Sequence, residues 1–585
     1  MRSIISETVL GRSYGAFSDW AGRRVRPYFL FPFIGILGFL LVYPVFMVAY
    51  GSFRGGPPGD PDLSWTLDGY VRAWSSSETY KALIITFALA VPKVLLGITF
   101  ATFLTWALTR TNTPGRRIFD QLIWLKVFLP ALPMLVAWLI LARGRTGLIN
   151  DFLMHTFNLS KPPLDIGTYW GVIFYAVITG STMFYLYLGP AFRNMDASLE
   201  ESARISGASS LTTLRRITVP LLMPAIAGVS LLFFLVNLAT FESMLFFLAP
   251  KGIYVFSTLI WHEVGKVPSD YPAAMALANA FMIFTAAVIL LQFKILGERQ
   301  YTTVSGRGFA VRLIDLGPWK WASFTVIALW FTLGLFVPMT ILILGTFVNT
   351  FGLLENGYTL RHWGKVLSNP AILNSIKNTV VLGALVGTLG TMVYGLMSYA
   401  YLRTKLRGRK WLEVLSWVPR MSPSIVLAVG IVWAVLGGVI PGAKHLYGSL
   451  ILMALIVSVE HTPAGMRMMN GGMVQLGPEL EESARVSGAS WLRTMRKVVL
   501  PLLAPTLLNS WLLSFLVGTR ALLLLLFIYV PSSKVLSIDI FERLQSNEPQ
   551  QAAILGVILT AISFVVALAA RYVAARQRRA MGGFI

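Results

Sequence analysis

The sequence predicts an all-α polytopic membrane protein made of two homologous six-helix halves, about twelve transmembrane helices in all. Three observations carry this expectation. Apolar residues form 56% of the 585-residue chain, charged residues only 13%, and the mean hydropathy is +0.68. Twelve stretches are long and apolar enough to cross a bilayer, and one ten-residue string recurs with a single change. Soluble proteins carry about 25% charged residues, so the composition excludes a soluble enzyme. With no cysteine, disulfide scaffolds, thiolate metal sites and cysteine nucleophiles are excluded as well. The formal net charge of +23 fits cytoplasmic loops rich in Lys and Arg better than a nucleic-acid surface.

A helical span needs about 20 mostly apolar residues. In the first half such stretches lie near 28–52, 82–108, 119–142, 168–192, 218–249 and 271–296. In the second they lie near 321–348, 376–402, 412–436, 446–468, 502–530 and 551–575. Arg2, Arg12, Arg23, Arg24 and Arg26 precede the first, which is too long for a signal-peptide core, so a retained span after a cytoplasmic tail is expected. With the N-terminus inside, the inside segments hold 31 Lys/Arg and the outside ones 12. That excess places both termini in the cytoplasm.

Residues 200–209 read EESARISGAS and residues 481–490 read EESARVSGAS, 281 positions apart. The pairs Gly115-Arg116-Arg117 and Gly408-Arg409-Lys410, and Trp65-Thr66-Leu67 and Tyr358-Thr359-Leu360, repeat at an offset of 293. The difference falls in the outside loop around 143–167, longer in the first half, and surface loops tolerate such changes. Expected boundaries are a cytoplasmic tail at 1–27, a first transmembrane domain at 28–297, a cytoplasmic linker at 298–320, a second transmembrane domain at 321–576 and a tail at 577–585. Two even-numbered halves face the same way, so their pseudo-twofold axis should run along the membrane normal with a pathway between them.

The repeated string lies between spans four and five of each half. Glu200, Glu201, Ser202, Ala203 and Arg204 form a polar helical segment that Gly207 can end in a left-handed conformation. Ser209 can cap a second short helix with Leu211, Leu214 and Ile217 at three-residue spacing, and Pro220 opens the next span. The second copy repeats this with Gly488, Ser490, Leu492, Met495, Val498 and Pro501. An apolar stripe outside the membrane needs a partner to bury it.

The arrangement resembles the EAA loop of permease subunits of binding-protein-dependent ATP-binding cassette importers. That pattern is Glu-Ala-Ala, three residues, Gly, nine residues, Ile, one residue and Leu-Pro. The chain supplies Glu201-Ser202-Ala203, Gly207, Ile217 and Val219-Pro220, then Glu482-Ser483-Ala484, Gly488, Val498 and Leu500-Pro501. The resemblance implies that these loops dock two copies of a cytoplasmic ATPase subunit, and that a periplasmic or extracellular solute-binding protein delivers the cargo. It implies a bacterial inner-membrane location, and ATP and Mg bound on the partner ATPase with no cofactor in this chain. No Gly-x-x-x-x-Gly-Lys-[Ser/Thr] phosphate loop occurs: the Gly-Lys pairs at 265–266 and 364–365 are both followed by Val. No catalytic residue is expected. Two halves fused in one chain look like the ferric-iron-type permeases, with thiamine and phosphonate permeases as relatives.

Lys93, Lys126, Arg420, Arg520, Glu242 and Glu460 fall inside predicted spans, with His461 beside the last. Intramembrane charges normally face a partner or a water-filled cavity. Lys126 and Arg420 occupy nearly equivalent places close to the inside boundary, where snorkelling to the interface is an alternative. Glu242 and Arg520 are expected to face each other near the pseudo-twofold axis, as a salt bridge or as polar lining, in a gate. Four basic groups against two acidic ones lean toward an anionic cargo or a metal travelling with anions. The five histidines show no paired spacing, so no metal site is expected. A twelve-span secondary transporter would share the two-half plan but needs no duplicated loop, and a membrane-embedded enzyme would need a convergent catalytic constellation.

Overall fold

The computed structural model describes residues 30–60, 63–296, 313–350, 353–404, 409–437 and 440–580. The expected N-terminal tail, most of the linker and part of the C-terminal tail lie outside them. The first half runs α1 (Leu30–Gly51), α2 (Asp68–Ser75), α3 (Ser77–Arg110), α4 (Arg116–Val127), α5 (Ala131–Ala142), α6 (Leu148–Phe157), α7 (Tyr169–Asn194), α8 (Ala197–Ile205), α9 (Ser210–Leu238), α10 (Glu242–Phe247), α11 (Phe256–Gly265) and α12 (Tyr271–Leu296). The second opens with α13 (Trp319–Gly345), β1 (Val348–Thr350), β2 (Leu353–Tyr358) and α14 (Arg361–Leu367). It continues through α15 (Pro370–Arg403), α16 (Arg409–Met421), α17 (Ser424–Leu436), α18 (Leu450–Glu460), α19 (Thr462–Gln475), α20 (Glu479–Val486), α21 (Trp491–Arg520), α22 (Leu536–Gln545) and α23 (Pro549–Ala580).

Among the described residues nine helices are long and apolar enough to cross a membrane, and each coincides with an expected span. Spans three and nine are not straight. α4 and α5 meet at 101°, α16 and α17 at 102°. Pro130 and Pro423 stand at the two breaks in extended backbone, with ψ of 141° and 147°. Proline has no N–H to continue a helix and disfavours helical backbone in the residue before it. The tenth span is carried by α18 and α19, which meet at His461.

The fifth and eleventh spans end earlier than expected, at Leu238 and Arg520. Beyond Leu238, α10 and α11 form a pair bent by 71°. α11 has 10 residues, about 15 Å at 1.5 Å per residue and half of a hydrocarbon core of about 30 Å. α11 by itself is therefore too short to cross. Glu242 stands at the start of α10, outside the helix in which the sequence placed it. The second half answers with short turns at Leu525–Phe527 and Pro531–Ser533, then α22.

The halves exchange arms. α1 packs on α16 and α17 of the second half, while α13 packs on α5 of the first. Likewise α12 touches α17 and α23 touches α5. This reciprocity is the two-half symmetry in physical form. One apolar cluster joins Val48, Ala137 and Ile260 to Leu382, Trp433 and Ile554 across the seam. The loops after the first and seventh spans repeat too: β1 and β2 pair antiparallel, and the first half has the bridge Arg54–Trp65. The longer first-half loop is built around buried Asn150, whose Nδ2 donates to the carbonyls of Gly144 and Leu164 and whose Oδ1 accepts from Leu164 N–H at 3.0 Å.

Candidate functional site

Each repeated loop is two helices joined at a glycine. α8 ends where Gly207 takes φ = 86°, and α20 ends where Gly488 takes φ = 79°. Behind each, Ala208 N–H donates to Ala203 and Ala489 N–H to Ala484, both at 3.0 Å, satisfying helix-end carbonyls. Ser209 Oγ then accepts from Thr212 N–H at 3.2 Å, and Ser490 Oγ from Arg493 N–H at 3.4 Å. The next turn widens into a five-residue π-helix at Leu214–Thr218 and again at Met495–Val499. Pro220 and Pro501 stand two residues beyond each π-helix; a proline cannot supply the N–H that a regular turn requires, and such widened turns are frequent at functional sites.

The exposed side chains match between copies. Leu199, Ile205 and Leu211 are 45%, 88% and 71% exposed; their counterparts Leu480, Val486 and Leu492 are 47%, 71% and 68% exposed. Arg215 and Arg216, and Arg496 and Lys497, are exposed beside them. Of the expected docking residues, Ser202, Gly207, Pro220, Glu482, Ser483, Gly488 and Pro501 are exposed, and Glu201, Ala203, Ile217, Ala484 and Val498 half-buried. The outward apolar surface draws on both helices of the loop rather than on a Leu211–Leu214–Ile217 stripe, since Leu214 and Ile217 turn partly inward.

The sequence reading missed what anchors the loops. Glu200 is buried against Arg110, Nη2 to Oε2 at 2.6 Å, and its other oxygen accepts from Thr218 Oγ1 at 2.7 Å. Glu481 pairs with Arg403 at 3.3 Å and accepts from Tyr399. The signal was available. Adjacent residues on a helix point about 100° apart, so the two glutamates of each doublet face different surroundings, and Arg110 and Arg403 end the same span of each half.

A second locus lies between the halves. A cavity of about 260 Å³ is lined by Glu242, Ser424, Glu460, His461, Val517 and Arg520, with the apolar run 521–524. Glu242 and Arg520 share it, but among the described residues no ion pair joins them. Arg520 Nη1 instead donates to the carbonyl of Val127 at 3.0 Å, and Nη2 to that of Phe128. Glu460 accepts from Ser424 Oγ. None of the remaining basic groups is in the cavity lining, although Arg420 lies within electrostatic reach of its His461. Lys93 is buried 3.7 Å from Met244 Sδ. Lys126 donates to the Ile178 carbonyl at 2.6 Å and sits 3.6 Å from the centre of the Trp330 ring; it is buried rather than snorkelled. Arg420 is exposed. The four-to-two excess of basic groups is therefore not a property of the cavity.

Residues 391–579 match the family model described as "Binding-protein-dependent transport system inner membrane component". The ferric transport system permease protein FbpB of Actinobacillus pleuropneumoniae is 25% identical over 548 residues, 92% of this chain and 77% of that protein. A putative ferric transport system permease protein FbpB 1 of Haemophilus influenzae is 25% identical over 507 residues, 86% of this chain and 77% of its own length. The spermidine/putrescine transport system permease protein PotC of Escherichia coli is 26% identical over 242 residues, 41% of this chain but 89% of PotC. One half of this chain thus corresponds to nearly the whole of a relative.

Proposed function

We propose that this chain, a fused two-half permease of the binding-protein-dependent ATP-binding cassette importers in the bacterial inner membrane, couples two separate ATPase subunits to a pathway between its halves. Each duplicated loop docks one ATPase copy on its cytoplasmic face through Glu201, Ser202, Ala203, Gly207, Ile217 and Pro220, or through Glu482, Ser483, Ala484, Gly488, Val498 and Pro501. ATP and Mg belong to those subunits. A binding protein on the outer face releases the solute toward the cavity, both termini lie in the cytoplasm, and the domain boundaries are those drawn from the sequence. The cargo class is ferric iron or a small anionic or organic solute of the phosphonate or thiamine type. Glu242, Glu460 and Arg520 line the route, with Lys126 and Arg420 flanking it.

The matched exposure of Leu199, Ile205 and Leu211 with Leu480, Val486 and Leu492 carries this proposal. Large apolar side chains at equivalent places, ringed by arginine and lysine, fit a partner with an apolar groove and an acidic rim. The test is co-purification with a co-expressed ATP-binding cassette ATPase subunit. Ile205→Asp together with Val486→Asp should abolish it while membrane insertion persists. Undiminished co-purification, or solute uptake without any ATPase, would refute the coupling role.

A further inference from the structure

The cavity between the halves contains two carboxylates, one from each half, and the guanidinium beside them is turned to other partners. Glu242 of the first half and Glu460 of the second both line it. Glu242 makes no hydrogen bond or ion pair to another side chain among the described residues. Arg520 engages the carbonyls of Val127 and Phe128 through its terminal nitrogens, and its buried Nε has no partner. His461 Nδ1, also buried and without a hydrogen-bond partner, lies 3.8 Å from Glu460 Oε2. Two carboxylates that line one cavity in a poor dielectric favour a positive group placed between them, while Arg520 in the same lining is held by the two carbonyls.

We propose that this cavity is a way-station for a positively charged cargo, that Glu242 and Glu460 select for the positive charge, and that Arg520 limits how strongly they do so. The proposal presupposes the permease function. Among the described residues no three His, Asp or Glu groups are placed to hold a metal ion. Recognition is therefore by charge rather than by direct ligation, and the chemistry it fits is an organic ammonium or a metal cation that keeps its own ligands.

Because the chain has no cysteine, one thiol can report the cavity's charge. Val517→Cys places it in the lining, and the full chain with its ATPase is reconstituted in lipid with and without MgATP. Reaction with a trimethylammonium thiosulfonate is compared with reaction with a sulfonate thiosulfonate, each scaled to the exposed control Ser206→Cys. The cationic reagent should be favoured about tenfold, as fields in a charged cleft raise counter-ion concentration by that order or more. Adding Glu242→Gln and Glu460→Gln should reverse the preference, because Arg520 then supplies the lining's principal charge, and Arg520→Gln should widen it. An anionic preference, a ratio unmoved by the Gln variants, or no reaction in any nucleotide state while the control reacts would each overturn the proposal. Protection of the thiol by spermidine or by an exchange-inert cobalt ammine then separates the two sources of positive charge, and protection by neither also overturns it. ATPase co-purification from the same samples reports separately on the permease function, so the two failures are distinguishable.

Discussion

Arg520, the last residue of α21, donates through Nη1 to the main-chain carbonyl of Val127, the last residue of α4 in the other half, at 3.0 Å. The final carbonyls of a helix have no partner within it, and the Pro130 break leaves those of Val127 and Phe128 open. The guanidinium supplies both donors. The link is one-sided, because the first-half position equivalent to Arg520 is Ala239.

Arg520→Gln should weaken the hold between the halves. Hydrogen bonds from a charged donor contribute about 1.5–3 kcal/mol each, so the balance between closed and open forms should move tenfold or more. ATP hydrolysis by the assembled importer without its binding protein should rise, with insertion unaffected. Arg520→Lys should rescue only part, since an ammonium lacks the planar fork that serves two acceptors. Unchanged basal hydrolysis in Arg520→Gln would show that this contact does not hold the resting state.

The buried anchor of the first loop makes a second, asymmetric expectation. Arg110 and Glu200 are 1% and 3% exposed, whereas Arg403 and Glu481 are 13% and 10% exposed and farther apart. Removing one member of a buried pair typically costs about 3–5 kcal/mol because the other charge is stranded. Glu200→Gln should therefore lower the thermal midpoint and ATPase co-purification more than Glu481→Gln does. Equal effects, or a larger effect at Glu481, would contradict this ranking.

Span positions were legible because twenty apolar residues leave few alternatives in a bilayer, and the loops because the repeat fixed their register. The right-angle breaks were also written in the sequence, at Pro130 and Pro423, but hydropathy averages over a proline. The end of α9 at Leu238 was not legible: Ala239 to Phe247 carries Glu242 but stays apolar enough to prolong a hydropathy window, and only the break before α10 separates them. The partners of Arg520 were hidden for another reason. They are backbone carbonyls, which carry no sequence signature, so pairing the two charged residues nearest the axis missed them.

The loop glycines make a third expectation. Gly207 and Gly488 have positive φ, and a Cβ built on either would meet nothing within 4 Å. The penalty of substitution is thus conformational rather than steric. Gly→Asn should be tolerated at both, because Asn enters the left-handed region readily, while Gly→Val should tilt the second short helix and cut ATPase co-purification and transport. Wild-type behaviour of both Val variants would detach the bend from coupling.

The final prediction concerns which face the loops occupy. Ser206 and Ser487 are exposed on the two loops, and their hydroxyls donate only to the carbonyls of Ser202 and Ser483. Cysteine at either costs little and leaves the caps at Ser209 and Ser490 intact. Ser75, exposed at the end of α2, lies one full span from the loop before Arg116, so it belongs to the opposite face if α3 crosses the membrane. The 34 residues of α3 extend to about 51 Å, more than the full bilayer of about 40–45 Å. In intact cells an impermeant maleimide should label Ser75→Cys with the outer membrane permeabilised. It should label Ser206→Cys and Ser487→Cys only after the inner membrane is opened. Labelling of either loop from outside would invert the orientation and remove the loops from the reach of any cytoplasmic ATPase.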